Sequence, residues 1–208
     1  MAKQKLEQYL TRQFEKQVAR TTVEIEQKYR VSDVDGLRKR LIKLGARKST
    51  KGYERNELFD MDGALRRQGR KLRLRRHGED KAVLTLKGPR QGGIHKTRME
   101  VETRVDYEPA KRILELLSFR VSETYSKLRE EYKLGPCTVC LDYISQCGWF
   151  FEIEGTPKQI NEIARKLELD DLDREHRSYR KLIKQQLQGP PILRFGSQPR
   201  TRAARRMK

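Results

Sequence analysis

A carboxylate, an aliphatic residue and a second carboxylate occur in this order three times along the chain. The copies are Glu24-Ile25-Glu26, Glu100-Val101-Glu102 and Glu152-Ile153-Glu154. Side chains of a β-strand alternate between its two faces, so residues two positions apart share a face. Each copy therefore predicts a strand with two carboxylates on one face and an aliphatic side chain on the other.

Pairs of cations have the same spacing as these carboxylates. They are Arg73-Leu74-Arg75, Lys96-Thr97-Arg98 and Lys127-Leu128-Arg129. An open antiparallel sheet with one face in water would alternate in this way. A closed barrel with a charged interior and an apolar outer wall would also fit, and closure removes the exposed sheet edges. The repetition of paired charges, in place of mixed polar residues, favours the barrel.

The pattern along the whole chain predicts an α+β fold, a closed eight-stranded antiparallel β-barrel with helices packed outside. The expected strands cover residues 22–31, 57–60, 71–76, 82–87, 96–105, 123–132, 138–144 and 149–155. Helices are expected after Ser32, which we predict as an N-cap, from Pro109, from Thr156-Pro157 and from Tyr179.

The ends of the chain differ in composition from this central domain, which we place at residues 22–188. Residues 1–21 predict a helical extension with an apolar residue at every fourth position, and residues 189–208 predict a disordered basic tail. The chain has 48 Lys and Arg against 29 Asp and Glu, a net charge of +19. Such an excess favours polyanionic partners, including nucleic acid at the basic tail. A homodimer is left open.

Cysteine content and hydropathy indicate the compartment. Three cysteines argue against a disulfide framework and favour a reducing, cytoplasmic location. Cys137 and Cys140 have CxxC spacing, but no second pair or nearby histidine completes a zinc site, so we interpret them as ordinary strand residues. The sequence has no apolar run long enough to predict a signal peptide or a membrane span, so we expect neither.

The predicted interior would combine two kinds of charged group. Hard divalent cations bind carboxylate oxygens and usually retain substrate phosphates in their coordination shell. Arginine and lysine supply the donors that phosphate oxygens accept. The combination suits a polyphosphate chain that carries a metal. A network of salt bridges without a ligand is the alternative, but burying so many charges for stability alone is costly.

Several motifs, in order, resemble one known family. Glu24-x-Glu26-x-Lys28 resembles the ExExK signature of the CYTH domain, the triphosphate tunnel metalloenzymes. The resemblance covers about residues 22–188 and continues through Leu72-Arg73-Leu74-Arg75, Thr85-Leu86-Lys87-Gly88-Pro89, Lys96-Thr97-Arg98-x-Glu100-x-Glu102, Lys127-x-Arg129, Asp142 and Glu152-x-Glu154-Gly155. Within the family, the KTRxExE and TLKGP stretches are most similar to the class IV adenylyl cyclase branch.

The resemblance implies a tunnel that holds a triphosphate together with Mg²⁺ or Mn²⁺, and it implies roles for individual residues. Glu24, Glu26 and Lys28 would be catalytic. The metal ligands or their supports would be Glu24, Glu26, Asp142, Glu152 and Glu154. The phosphates would be held by Lys28, Arg73, Arg75, Lys87, Arg98, Lys127 and Arg129. Glu100 and Glu102 receive no role beyond charge balance or metal support.

The same tunnel suits two reactions. The family likeness favours an adenylyl cyclase, which converts ATP to cyclic AMP and pyrophosphate. A triphosphatase acting on tripolyphosphate, a nucleoside triphosphate or thiamine triphosphate is the alternative. A third hypothesis is a non-catalytic protein that binds polyphosphate or nucleic acid. Arg180, on the last predicted helix, is expected to lie outside the barrel, away from the substrate.

Overall fold

The computed structural model describes residues 20–77, 81–145 and 147–188. The N-terminal helix and the basic tail predicted from the sequence lie outside these residues. The strands are β1 (Arg20–Val31), β2 (Arg47–Asp60), β3 (Lys71–His77), β4 (Lys81–Lys87), β5 (Lys96–Asp106), β6 (Arg120–Leu134), β7 (Cys137–Ile144) and β8 (Gly148–Glu154).

These eight strands form a closed barrel in the order β1-β5-β4-β3-β2-β6-β7-β8. Every neighbouring pair is antiparallel. The predicted closed barrel is therefore confirmed, and the open sheet with a solvated charged face is excluded. Strand directions alternate around the ring, so β3 and β8 run the same way.

Five α-helices occur in the described residues, with one short 3₁₀ turn at Asp171–Asp173. They are α1 (Val34–Lys43), α2 (Ala64–Arg67), α3 (Tyr107–Leu116), α4 (Pro157–Lys166) and α5 (Tyr179–Gln188). None of the helices in the described ranges is long and apolar enough to cross a membrane.

The hydrophobic core lies outside the barrel, between its wall and the helices. The largest cluster joins Leu37 and Leu41 of α1 and Ile160 of α4 to outward residues such as Val139 and Ile153. A second cluster packs α3 against the wall, and a third packs α5 near the end of β7. Ile25, Leu74 and Ile153, each between two like charges, therefore belong to the core, which leaves the charged face for the interior.

Some boundaries differ from the sequence prediction. Strand β2 begins at Arg47, ten residues before the predicted Glu57. The first half of β2 is polar and mostly exposed on both faces, so it has no alternation of apolar residues that would predict a strand. Its pairing with β6 defines it as one. The cap of α1 is Asp33 and not Ser32, because the Asp33 carboxylate accepts a 2.8 Å hydrogen bond from the Gly36 amide. The predicted start of α4 after Thr156 is confirmed by a capping box with Gln159.

Candidate active site

The barrel encloses an open cavity of about 400 Å³. Because side chains alternate along each strand, every second residue points into it. Among the predicted site residues, those that line the cavity are Glu24, Glu26, Lys28, Arg73, Arg75, Lys87, Arg98, Lys127, Arg129, Glu152 and Glu154. Asp142 does not line the cavity but is fully buried in the wall of the site.

Adjacent strands β1 and β8 bring four of the glutamates together. Glu26 lies opposite Glu154 in the strand register, and Lys28 lies opposite Glu152. Glu24 accepts hydrogen bonds from Lys87 Nζ at 2.6 Å and Arg98 Nε at 2.9 Å. Burial opposes ionisation, but these two cations hold the pKa of Glu24 below its ordinary value. Part of the interior charge is thus already compensated.

Glu154 differs from the other three glutamates because no cation pairs with it in the described part of the chain. Its carboxylate faces the cavity at the end of β8. Although this side chain is exposed to the open cavity, desolvation by the surrounding wall, followed by the nearby charges of Glu24 and Glu100, raises the pKa of Glu154 to about 7. A cation bound beside it would relieve this repulsion.

Asp142 organises two of the predicted phosphate-binding cations. Its carboxylate accepts hydrogen bonds from Lys127 Nζ at 2.9 Å, from Arg129 Nε and Nη2 at 2.7 and 2.6 Å, and from the Tyr179 hydroxyl at 2.8 Å. Arg129 Nη2 also reaches Glu152 at 2.6 Å. Although burial disfavours its charge, Arg129 and Lys127 hold the pKa of Asp142 well below its usual range. The carboxylate is therefore fixed as an anion that orients these cations.

Lys28 has a different environment from the other interior cations. It is almost completely buried, and no carboxylate oxygen of a described residue lies within 4 Å of its amine. Its Nζ lies 3.9 Å from the ring centroid of Tyr179 and 5.7 Å from that of Phe150. Burial lowers the pKa of Lys28 to about 8. Its amine can therefore lose a proton closer to neutral pH than an ordinary lysine.

Strand β3 carries its cations in a row along the cavity. Arg73 donates to Thr85 at 3.1 Å and lies 3.8 Å from Glu102. Arg75 donates to Asn56 at 3.0 Å and lies 3.3 Å from Glu54. Glu102, the second carboxylate of Glu100-Val101-Glu102, is therefore paired with Arg73. Glu100 is paired too, because it lies 3.1 Å from Lys87 Nζ. Glu100 and Glu102 balance the cations of β3 and β4.

Several cavity residues were not predicted from the sequence. Lys71 and Arg90 flank the predicted motifs, and Ser178, Tyr179 and Arg180 come from the start of α5. The expectation that Arg180 lies away from the site is wrong: it lines the cavity, and its Nη1 donates to Glu123 at 2.8 Å. Local sequence offers no signal for this, because a helix that packs across a barrel end is placed by tertiary contacts.

The donor set fits a divalent cation. No group of three His, Cys, Asp or Glu side chains within the described ranges is arranged to hold a metal by itself. Mg²⁺ is nevertheless usually held by only one or two carboxylates, with substrate phosphates completing its shell. Glu26 and Glu154 lie opposite each other on adjacent strands, and Glu154 is unpaired among the described residues. With a bound phosphate these two carboxylates would meet that requirement, and Glu26 also accepts a 3.1 Å hydrogen bond from Lys96 Nζ.

The cysteines have no part in such a site. Cys137, Cys140 and Cys147 are free thiols. Cys137 packs in the outer core, whereas Cys140 points into the cavity. Burial raises the pKa of Cys140 to about 12, which keeps it a neutral thiol. Because the two CxxC residues face opposite sides of β7, they do not form a metal or redox pair.

Comparison with known proteins gives a consistent result. The sequence pattern of the CYTH domain matches residues 22–179. A Methanocaldococcus jannaschii protein provisionally named an adenylate cyclase is 30% identical over 148 residues, which are 70% of this chain and 84% of that protein. The adenylate cyclase CyaB of Aeromonas hydrophila is 29% identical over 177 residues, covering 79% of this chain and 90% of that protein.

A solved structure of similar fold comes from Hippeastrum. It superimposes with a TM-score of 0.60 at 16% identity and covers 77% of this chain and 95% of its own. That protein is described as a provisional adenylyl cyclase with a dominant triphosphatase activity. At this identity the likeness concerns the fold.

Proposed function

Because this chain belongs to the CYTH domain family, we propose that it is a metal-dependent enzyme that processes a triphosphate inside the barrel. One observation carries the proposal: the barrel gathers glutamates, lysines and arginines from separate strands around one open cavity. Burying so many charges is costly, and replacing them with apolar residues would usually cost no stability. A polyanionic substrate with a divalent cation accounts for both signs of charge.

The best-supported reaction is that of a class IV-type adenylyl cyclase. The relatives from Methanocaldococcus jannaschii and Aeromonas hydrophila carry adenylate cyclase names and match most of this chain. In this reaction the ribose 3′-oxygen bonds to the α-phosphorus of ATP, the bond from that phosphorus to the bridging oxygen breaks, and pyrophosphate leaves. The proton of the 3′-hydroxyl must pass to a base.

The lining residues divide this work by charge. Arg73, Arg75, Lys87, Arg98, Lys127 and Arg129 hold the phosphate oxygens through charge-assisted hydrogen bonds. Asp142 fixes Lys127 and Arg129 in position and is a support, not a metal ligand. Lys28, whose pKa burial lowers to about 8, would accept or return the proton.

The carboxylates of β1 and β8 supply the metal site. Glu26 and Glu154, supported by Glu24 and Glu152, would hold Mg²⁺ or Mn²⁺. When bound, such a cation lowers the pKa of an attacking hydroxyl and neutralises phosphate charge. Glu154 needs to be ionised for this role, and it becomes so above about pH 7.

The two candidate reactions place the substrate in opposite directions. Glu24, Glu26 and Glu100 lie near Glu154, whereas the charges that act most strongly on Lys71 are those of Arg98, Arg90, Arg180 and Lys87. A cyclase needs the α-phosphorus, and hence the nucleoside, beside the glutamates of β1 and β8. A triphosphatase needs the terminal phosphorus there. The described activity of the Hippeastrum protein makes the triphosphatase the second candidate.

A product assay tests the proposal. The protein is incubated with ATP and Mn²⁺, and cyclic AMP, pyrophosphate, ADP and phosphate are separated. Equal amounts of cyclic AMP and pyrophosphate identify a cyclase, whereas ADP and phosphate identify a triphosphatase. Absence of any product, with tripolyphosphate also untouched, would leave only a non-catalytic binding protein. Glu154→Gln serves as the inactive control, because it removes one carboxylate of the metal site.

A further inference from the structure

Besides Lys28, two cations of the cavity have no carboxylate partner among the described residues. Lys71 and Arg90 line the same cavity as the phosphate-binding residues. In the described ranges, neither has a carboxylate oxygen within 4 Å, and Arg90 Nη1 donates a 3.3 Å hydrogen bond to the backbone oxygen of His176. By contrast, Lys87 and Arg98 are both bonded to Glu24.

The charges that act most strongly on Lys71 are positive, whereas the charges of Glu26 and Glu24 also act on Arg90. It is half-buried at the start of β3, opposite Lys87 in the strand register. Burial, followed by the charges of Arg98, Arg90, Arg180 and Lys87, lowers the pKa of Lys71 to about 7. Because Lys71 lies among these cations and has no carboxylate oxygen within 4 Å in the described ranges, a bound anion would relieve the repulsion that it experiences.

Lys71 continues the row of cations along β3. Lys71, Arg73 and Arg75 are two positions apart on one strand and share its inner face. Neighbouring members are therefore spaced about 6.7 Å apart along the strand. Arg90 comes from the loop that follows β4, at the same end of the barrel as the start of β3. Because Lys71 lies opposite Lys87 in the strand register, a linear anion held by Lys87 would bring one further charged group within reach of Lys71 and Arg90.

The first turn of α5 closes the same end. Ser178 and Arg180 line the cavity there, and α5 is a ten-residue helix whose N-terminus contributes partial positive charge. Arg180 is already paired with Glu123, so it can donate hydrogen bonds to an anion bound there but contributes no unpaired charge.

We propose that Lys71 and Arg90, with Arg180 beside them, form a subsite for a fourth phosphoryl group, which extends the substrate class from triphosphates to linear tetraphosphates. This subsite rests on the proposed function, because the first three phosphates occupy the inner cations. It makes chain length a determinant of affinity that is set at one end of the barrel.

The test compares the affinities of linear tripolyphosphate and linear tetrapolyphosphate by calorimetry at a fixed salt concentration. We expect the wild-type protein to bind tetrapolyphosphate about tenfold more tightly, as one added charge-assisted contact would provide. In Lys71→Ala and in Arg90→Gln, the ratio of the two affinities should fall towards one. The second variant lies in an exposed loop, so it separates binding from folding if the first proves unstable.

Arg70→Ala is the matched control. Arg70 is exposed, neighbours Lys71 in sequence and does not line the cavity, so its removal changes the net charge equally. It should keep the wild-type affinity ratio. Equal ratios in Arg70→Ala and Lys71→Ala would overturn the subsite, since long-range charge alone would then explain any preference. Failure of the wild-type protein to bind tripolyphosphate would instead overturn the proposed function.

Discussion

The hydroxyl of Tyr179 donates a 2.8 Å hydrogen bond to Oδ2 of Asp142. This contact joins the first residue of α5 to a carboxylate that is completely buried in β7. The same ring packs over Lys28, with the amine 3.9 Å from its centroid. Burial and the Asp142 charge raise the pKa of Tyr179 well above its ordinary value, so the hydroxyl keeps its proton and stays a donor. Helix α5 is thereby part of the site.

Tyr179→Phe should lower the free energy of unfolding by about 2 kcal/mol, because it removes a hydrogen bond to a charged, buried group. The loss is limited since Asp142 keeps its bonds from Lys127 and Arg129. Urea unfolding measures the change. Tyr53→Phe is the control, because Tyr53 is 74% exposed and should change stability little. Equal effects of the two substitutions would contradict a structural role for the Tyr179 hydroxyl.

Arg75→Ala should abolish tripolyphosphate binding measured by calorimetry while the fold remains intact. Arg75 lines the cavity, and its bonds to Asn56 and Glu54 hold the guanidinium in one orientation. Arg75→Lys should also bind weakly, because an ammonium cannot reproduce two parallel hydrogen bonds. Arg112→Ala, on the exposed side of α3, should bind as the wild type does. Similar affinities for the Arg75 and Arg112 variants would contradict the phosphate-binding assignment.

Stability should depend on pH through Glu154. Its pKa is raised to about 7 in the folded protein, against about 4.3 in an unfolded chain. The folded state therefore binds more protons between these values, and its stability falls as the pH rises through this window. In the presence of a metal chelator at pH 8, Glu154→Gln should melt at a higher temperature than the wild type. This difference in melting temperature should shrink towards pH 5. Glu108→Gln, an exposed control, should leave the wild-type pH dependence unchanged.

A divalent cation should reverse the difference in melting temperature between Glu154→Gln and the wild type. Added Mg²⁺ or Mn²⁺ at pH 8 should raise the melting temperature of the wild type in the presence of tripolyphosphate, because ligands that bind the folded state stabilise it. Glu154→Gln should show a smaller gain. An equal gain in both proteins would place the cation away from Glu154.

Deletion of residues 190–208 should leave turnover of ATP nearly unchanged. The six cations of this tail match no motif of the barrel, so we expect only salt-sensitive affinity for anionic partners. Steady-state kinetics at moderate salt, with the full chain as reference, measure the effect. A large loss of kcat would show that the tail contributes to the active site.

The alternation of charged and aliphatic residues was sufficient to predict the barrel interior. A carboxylate at Glu24 and another at Glu26 must share a face, and the Ile25 between them must face the core, because strand geometry allows nothing else. The same local rule identified the cations of β3 and β6. It failed for residues 47–56 of β2, where polar residues on both faces of the strand give no apolar alternation, and Glu54 and Asn56 were missed for this reason.

Tertiary structure alone decided which of these charges are compensated. Strand register sets Glu26 opposite Glu154, and the packing of α5 brings Tyr179 onto Asp142 and Lys28. Register and helix docking join residues far apart in the chain, so no local pattern specifies them. The sequence by itself determined that the barrel would be charged inside. The tertiary structure determined that Asp142 is satisfied while Glu154 and Lys71 have no ion-pair partner among the described residues, because pairing depends on distances between strands.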